Sequence, residues 1–223
     1  MNILHTLLHA LWQKDYNTLS DPAVIWLIYG ILFIIIFLEN GLLPAAFLPG
    51  DSLLILVGVL IGKGIVSFPL IIVTLTIAAG LGYWMSYMQG KWLGNTAIVQ
   101  KWLSQLPDKY HQKAHNLFYR HGLAALLIGR FIAFVRTLLP TIAGMSGLNN
   151  IRFQFFSWIS ALLWVVILTT MGLVLSKTQI FIHYEDKLMF LLILLPLVLL
   201  FFGLVSLIIM LYRKRKSKKN KTK

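Results

Sequence analysis

Long apolar runs alternate with short polar segments along most of the 223-residue chain. Four of these runs contain no charged residue and approach the roughly 20 apolar residues that a helix needs to cross a bilayer. They predict membrane-spanning helices at about residues 23–38, 65–89, 153–176 and 188–212. The pattern therefore predicts an all-α membrane protein with about four transmembrane helices.

Two further apolar regions, 39–61 and 122–150, are irregular because charged residues, prolines and glycines interrupt them. Freed backbone groups are tolerated at membrane depth only where protein or water satisfies them. We therefore predict that each region is a re-entrant helical hairpin rather than a regular span. The residues expected to break the helices are Pro44, Pro49 and Gly50 in the first region, and Pro140 and Gly144 in the second.

The distribution of lysine and arginine favours re-entrant segments over full crossings. The positive-inside rule places the basic C-terminal tail in the cytoplasm. If 122–150 crossed the membrane fully, the connector 90–121 would lie outside with five basic residues and one acidic residue. If both irregular regions dip in and return, fifteen basic residues lie inside and three outside. We therefore expect two re-entrant segments that enter from opposite faces, with both termini cytoplasmic.

The chain is interpreted as one integral membrane domain, 23–212, with two flanking segments. Residues 1–22 are predicted to form a helix lying in the membrane interface, because apolar residues recur at helical spacing over 1–12, a pattern that does not suit a cleaved leader. Residues 213–223, RKRKSKKNKTK, hold eight of the twenty basic residues, and we expect them to bind anionic lipid. GLLPAAFLPGD and RTLLPTIAGMSG share a Leu-Leu-Pro, which indicates an inverted repeat with a binding site at its junction.

Composition supports a membrane protein, since 12% of the residues are charged against about 25% in an average soluble domain. Cysteine is absent, which excludes disulfides and thiolate metal sites. The net charge of +13 would suit nucleic acid, but its concentration in the tail beside an apolar run favours a membrane surface instead. Gly58 and Gly62 form a GxxxG pair, which indicates close backbone packing and leaves a homo-oligomer open.

Four charged residues in the irregular regions are the candidate functional site: Glu39, Asp51, Arg130 and Arg136. Each charge at the bilayer centre costs about 2.5–3.5 kcal/mol, so these groups must be paired, hydrated or near an interface. Carboxylates in a low-dielectric environment can exchange protons near neutral pH, and the arginine guanidinium binds phosphate through two hydrogen bonds at once. Glu39 and Asp51 are thus candidates for proton coupling, and Arg130 and Arg136 for phosphate binding. The alternative is an internal salt-bridge network that only stabilises the fold.

Other chemistry is not predicted from the residues. His111 and His115 have the spacing of a metal pair, but no third ligand is evident, so we expect no metal site. GMSG is not interpreted as the nucleophile motif of an intramembrane serine protease, because none of the four predicted spans contains a histidine to act as base. We expect no catalytic residues and no cofactor, with the proton gradient supplying the coupling ion.

Three segments together resemble the DedA family of bacterial inner-membrane proteins: FLENGLLPAAFLPGDSLL, YMQGKWLGN, and GRFIAFVRTLLPTIAGMSGLNN followed by RFQFF. The resemblance implies a polytopic inner-membrane fold with two opposed re-entrant segments, a domain shared with eukaryotic lipid scramblases. It also implies that the residues at Glu39, Asp51, Arg130 and Arg136 are required for function. Members are linked to transport driven by the proton-motive force, to envelope integrity, and in some cases to returning undecaprenyl phosphate across the membrane.

The four charges and the resemblance together predict a proton-linked transporter of a lipid phosphate, and the resemblance implies undecaprenyl phosphate as an example. Two alternatives stay open. A proton-coupled cation or drug antiporter would use the same acids, with the arginines as counter-charges. A non-transporting scaffold would support the assembly of other envelope proteins.

Overall fold

The computed structural model describes residues 21–42, 49–93, 124–132, 135–146 and 148–184, together with scattered positions between 187 and 201. Within these ranges the regular structure is entirely helical. The predicted all-α class is therefore confirmed for this part of the chain. The helices are α1 (Pro22–Gly41), α2 (Gly50–Gly62), α3 (Phe68–Leu93), α4 (Ala125–Gly129), α5 (Val135–Met145), α6 (Asn150–Ser176) and α7 (Gln179–His183).

Three of the described helices are long and apolar enough to cross a membrane: Pro22–Gly41, Phe68–Trp92 and Asn150–Ser176. They confirm three of the four predicted spans, and each differs from its predicted bounds by a few residues. The fourth predicted span, 188–212, falls mostly outside the described residues, although its described positions up to 201 are helical. The interfacial helix 1–22, the connector 90–121, Pro44 and the basic tail also lie wholly or largely outside them.

Local sequence explains where two of the spanning helices begin. Asp21 precedes α1 and accepts a hydrogen bond from the Ala23 amide at 2.8 Å, while Pro22 occupies the first turn, where its missing N–H is not needed. Asn149 plays the same role for α6, accepting from the Ile151 amide at 2.9 Å. Each helix therefore starts at a side-chain cap that satisfies one of its free amides.

Glycines allow the helices to approach closely at three crossings. Helix α2 packs mainly on α6, where a Cβ on Gly58 would meet the backbone of Thr169 and a Cβ on Gly172 would meet that of Ile55. Helix α3 packs on α1 through Gly41 and Gly82, whose backbones are in contact. The GxxxG pair predicted to mediate close packing thus serves a contact within one chain, since a Cβ on Gly62 would meet Ser176.

The third crossing, between α3 and α5, contains polar side chains as well as glycine. Gly90 lies against the carbonyl of Thr141, and Gly144 lies against the carbonyl of Tyr87. The buried Ser86 hydroxyl is 3.0 Å from that of Thr141. Helix α5 is therefore fixed on α3 by close backbone contact together with a buried hydroxyl pair.

The outward faces of the long helices are apolar. Exposed side chains include Trp26 and Ile34 on α1, Val73 on α3, and Phe155 and Met171 on α6. In a soluble protein such faces would be buried, whereas lipid accommodates them at no cost. The described helices therefore have the surface expected of a bundle within a bilayer.

The irregular regions differ from the prediction in two respects. Helix α5 continues through Pro140 and ends at Met145, so the prediction that Pro140 breaks the helix is wrong, as is the break at Gly144. Pro140 only removes the amide that would bond to the Arg136 carbonyl. Instead, the described residues 130–132, between α4 and α5, are not helical. In the first region, Pro49 and Gly50 do mark the boundary at which α2 begins.

Candidate functional site

The four charged residues predicted to form the site come from four different helix ends. Glu39 lies in the last turn of α1, and Asp51 lies in the first turn of α2. Arg130 follows the end of α4, and Arg136 lies in the first turn of α5. Glu39 therefore belongs to a spanning helix rather than to the re-entrant segment in which the sequence analysis placed it. The four side chains converge because the helix ends meet, not because they share a helical face.

Arg136 is held between the two carboxylates. Its Nη2 donates to Oε1 of Glu39, and its Nη1 donates to Oδ1 of Asp51 at 2.7 Å. Arg136 and Glu39 are almost completely buried, whereas the Asp51 side chain is 49% exposed. The planar guanidinium is suited to this arrangement because its separate nitrogens can each serve a different carboxylate. One arginine thus joins α1, α2 and α5.

Arg130 contacts no carboxylate among the described residues. It is fully buried, and its Nη2 donates to Oδ1 of Asn40 at 3.2 Å and to the carbonyl of Ala79 at 3.3 Å. Its Nε and Nη1 have no hydrogen-bond partner in the described part of the chain. Asn40 is itself fixed, because its Nδ2 donates to the Ile36 carbonyl at 2.8 Å. The two arginines therefore differ: Arg136 pairs directly with carboxylates and Arg130 does not.

Aromatic rings surround both guanidinium groups. The guanidinium carbon of Arg130 lies 4.2 Å from the ring centre of Tyr83 and 5.2 Å from that of Trp164. The guanidinium carbon of Arg136 lies 5.2 Å from the same Trp164 ring. Cations within about 6 Å of an aromatic face are attracted by its quadrupole, most strongly when water is excluded. These rings offset part of the cost of burying two positive charges.

Trp164 also holds one of the acids. Its indole Nε1 donates at 3.0 Å to Oδ1 of Asp51, the same oxygen that accepts from Arg136. The side chain is buried in α6, so it links that helix to the start of α2. Trp164 is therefore in contact with three of the four charged residues.

Gly50 provides the space that Glu39 occupies. A Cβ placed on Gly50 would overlap the Glu39 carboxylate, so any larger residue has to displace it. The second carboxylate oxygen, Oε2, has no hydrogen-bond partner among the residues that the structure describes. Gly50 thus positions the acid as well as beginning α2, a role that its prediction as a helix breaker did not include.

The site is formally neutral, with two carboxylates and two guanidinium groups. Removing one partner of a buried ion pair leaves an uncompensated charge and costs about 3–5 kcal/mol in soluble proteins. The geometry settles part of what the sequence left open, because both acids pair directly with Arg136. Arg130 is adjacent to them but is bound by a side-chain amide and a backbone carbonyl instead.

Three residues of the site were not predicted from the sequence: Asn40, Tyr83 and Trp164. Asn40 carried a signal, since it is an amide beside Glu39 at the end of an apolar run. Trp164 carried another, because tryptophan is enriched at membrane interfaces but this one stands in the middle of the run 153–176. Tyr83 lies among other aromatic residues of α3, and nothing in the local sequence distinguishes it.

Comparison with known proteins shows which family the chain belongs to. The model of the VTT domain matches residues 48–174, which include Asp51, Arg130, Arg136 and Trp164. The chain is 65% identical over 215 residues to the inner membrane protein YqjA of Escherichia coli (strain K12), covering 96% of this chain and 98% of the relative. The chain belongs to the DedA family. The expected resemblance is thereby confirmed.

Other DedA relatives extend the comparison. The inner membrane protein YghB of E. coli K12 is 54% identical over 215 residues, covering 96% of this chain and 98% of the relative. The protein DedA of the same strain is 31% identical over 176 residues, covering 77% of this chain and 80% of the relative. No solved structure matches the chain. Together with the three apolar helices, these DedA relatives support a multi-pass protein of the inner membrane.

Proposed function

We propose that this DedA family member is a transporter linked to the proton-motive force, which moves a lipid phosphate such as undecaprenyl phosphate and so supports envelope integrity. The proposal depends on one observation above all. Arg136 is held between two carboxylates, while the neighbouring Arg130 is buried without a carboxylate partner among the described residues. Acids that can take up protons therefore lie next to a cation that can accept an anion.

Charge balance supplies the coupling. The four charges cancel, so adding a phosphate makes the buried cluster negative, and each proton that enters with it removes one negative charge. Protonation of Glu39 or Asp51 therefore offsets part of the charge that the phosphate brings, and it weakens the hold of that acid on Arg136. Buried uncompensated charge is expensive, which favours joint uptake of the proton and the anion.

Helix length supports the proposed re-entrant topology. Helix α2 has 13 residues, which at 1.5 Å per residue gives roughly 20 Å against a hydrocarbon core of about 30 Å. Helix α5 has 11 residues and is shorter still. We propose that both enter from opposite faces and return, with the termini in the cytoplasm and the basic tail on anionic lipid. On this proposal the protein is not an enzyme and uses no cofactor besides the proton gradient.

A proton-coupled cation or drug antiporter is the second candidate, and the exposure of Asp51 favours it. About half of that side chain is accessible, so a cationic substrate could reach a carboxylate without disrupting the buried Glu39 pair. In this case Arg136 would be displaced from Asp51 by the substrate. The same residues would then select a cationic substrate instead of an anionic one.

The test is transport by the purified full-length protein in liposomes with an imposed pH gradient. A labelled polyprenyl phosphate and a cationic dye are followed in parallel. Gradient-dependent lipid movement that disappears in Arg136→Ala, and persists in the control Arg152→Ala at the exposed start of α6, supports the proposal. Cation flux without lipid movement supports the antiporter. Absence of both fluxes in folded wild-type protein favours a scaffold and contradicts transport.

A further inference from the structure

Arg130 and Tyr83 together leave several buried donors without acceptors. The Tyr83 hydroxyl, like Nε and Nη1 of Arg130, has no hydrogen-bond partner in the described ranges. Both side chains are completely inaccessible to solvent, and the tyrosine ring lies directly over the guanidinium. A buried polar group without a partner is costly, and most have one in folded proteins. Nε and Nη1 belong to a cation and can only donate, and the Tyr83 hydroxyl can donate as well, so together they call for an anionic acceptor.

We propose that Arg130 and the Tyr83 hydroxyl form an oxyanion subsite for the headgroup of a phosphate monoester. Three donor groups, Nε, Nη1 and the hydroxyl, match the three unesterified oxygens of a monoester, whereas a diester has two. Asn40 and the Ala79 carbonyl hold Nη2, which orients the guanidinium and leaves the other nitrogens for the ligand. Arg136, occupied by its two acids, belongs to the proton-exchanging half of the cluster.

This inference deepens the proposed function, because it names the substrate class and divides the two arginines between two tasks. It also assigns Tyr83, which the family resemblance left without a role here.

Tyr87 provides a matched control on the same helix. It lies one turn after Tyr83, is equally buried, and stacks on the same ring of Phe153, at 4.4 Å compared with 6.4 Å for Tyr83. Its hydroxyl differs in donating to the Leu148 carbonyl at 2.5 Å. Tyr83→Phe and Tyr87→Phe each remove one buried hydroxyl from α3, but only the second removes a hydrogen bond within the described protein.

The experiment measures binding of butyl phosphate and dibutyl phosphate to the purified full-length protein, with thermal unfolding recorded for each variant. We expect wild-type protein to bind the monoester at least about tenfold more tightly than the diester. Tyr83→Phe should weaken monoester binding by about tenfold or more, the range for a hydrogen bond to a charged group, without lowering thermal stability. Tyr87→Phe should lower thermal stability and leave monoester binding unchanged.

Several outcomes overturn the subsite. They are equal binding of the two esters, unchanged monoester binding in Tyr83→Phe, or a loss of stability in that variant like that in Tyr87→Phe. The binding assay is independent of the liposome assay, so the two proposals can fail separately. Monoester binding without lipid transport retains the subsite and removes the proposed function. Lipid transport that is indifferent to Tyr83→Phe retains the function and removes the subsite.

Discussion

Trp164 donates its indole N–H to Asp51 at 3.0 Å, which ties the middle of a spanning helix to the first turn of a short one. The bond is unusual for a tryptophan at this depth, because its polar group ordinarily faces the membrane interface. It holds the ring 5.2 Å from the guanidinium carbons of both arginines and fixes the orientation of the one partly exposed acid.

Two substitutions of Trp164 distinguish the contribution of its N–H group from that of its aromatic ring. Trp164→Phe keeps an aromatic face for the arginines but removes the donor to Asp51. Asp51 then keeps its ion pair with Arg136 but loses its second donor, so we expect a modest loss of the maximal transport rate. Trp164→Leu removes both features and should reduce the rate far more. Transport rates of the two variants in liposomes measure both effects.

Trp158 is the control for this series. It lies on the same helix, and its Nε1 donates to Gln154 at 3.1 Å, away from the four charges. Trp158→Phe should leave the transport rate unchanged. An equal loss of rate in both phenylalanine variants would mean that Trp164 acts only on general stability.

Neutralising the acids should uncouple transport from the proton gradient. Glu39→Gln and Asp51→Asn keep side-chain size but cannot release a proton at working pH. We expect the Glu39 variant to lose stability as well, because it leaves Arg136 with a weaker partner in a fully buried position. The Asp51 variant should unfold nearer the wild-type temperature, since its pair is partly solvated.

The measurements for these variants are gradient-driven flux in liposomes and thermal unfolding in detergent. A combined Glu39→Gln, Asp51→Asn protein that inserts, folds and responds normally to the pH gradient would show that these acids do not couple protons. A simple loss of insertion is recognised by the unfolding measurement.

Gly50→Ala should displace Glu39. The added Cβ overlaps the carboxylate, so the acid has to leave its pair with Arg136 or α2 has to shift. We expect a loss of about 1–3 kcal/mol in unfolding free energy, the range for overpacking, together with a large loss of transport. Gly30→Ala on α1 is the control, because nothing lies within 4 Å of its added Cβ. It should be neutral or slightly stabilising, as alanine favours a helix over glycine.

The topology is open to direct labelling because the chain has no cysteine. Single cysteines introduced at Gln112 in the connector and at Lys177 after α6 should be accessible from opposite sides of the membrane. We expect the Gln112→Cys label from the cytoplasmic side and the Lys177→Cys label from the other side. Labelling of both from the same side would exclude the proposed re-entrant arrangement.

Features that depend on local sequence were predictable, whereas features that depend on contacts between distant parts of the chain were not. Spans are set by local composition, so α1, α3 and α6 were found to within a few residues. The prediction at Pro140 was wrong because a proline cannot by itself decide whether a helix ends. Close packing of α5 on α3 through Gly90 and Gly144 holds the helix together across the missing amide.

The sequence by itself determined that this is an all-helical membrane protein and that Glu39, Asp51, Arg130 and Arg136 are candidates for one cluster. Charge is so costly among apolar residues that these four could be identified without a structure. Only the tertiary structure decided which charges pair. Residues 39 and 136 meet across 97 positions of chain, and which of two arginines reaches an acid depends on how four helix ends converge. The distinct environments of Arg136 and Arg130, and the part played by Tyr83 and Trp164, are consequences of that convergence.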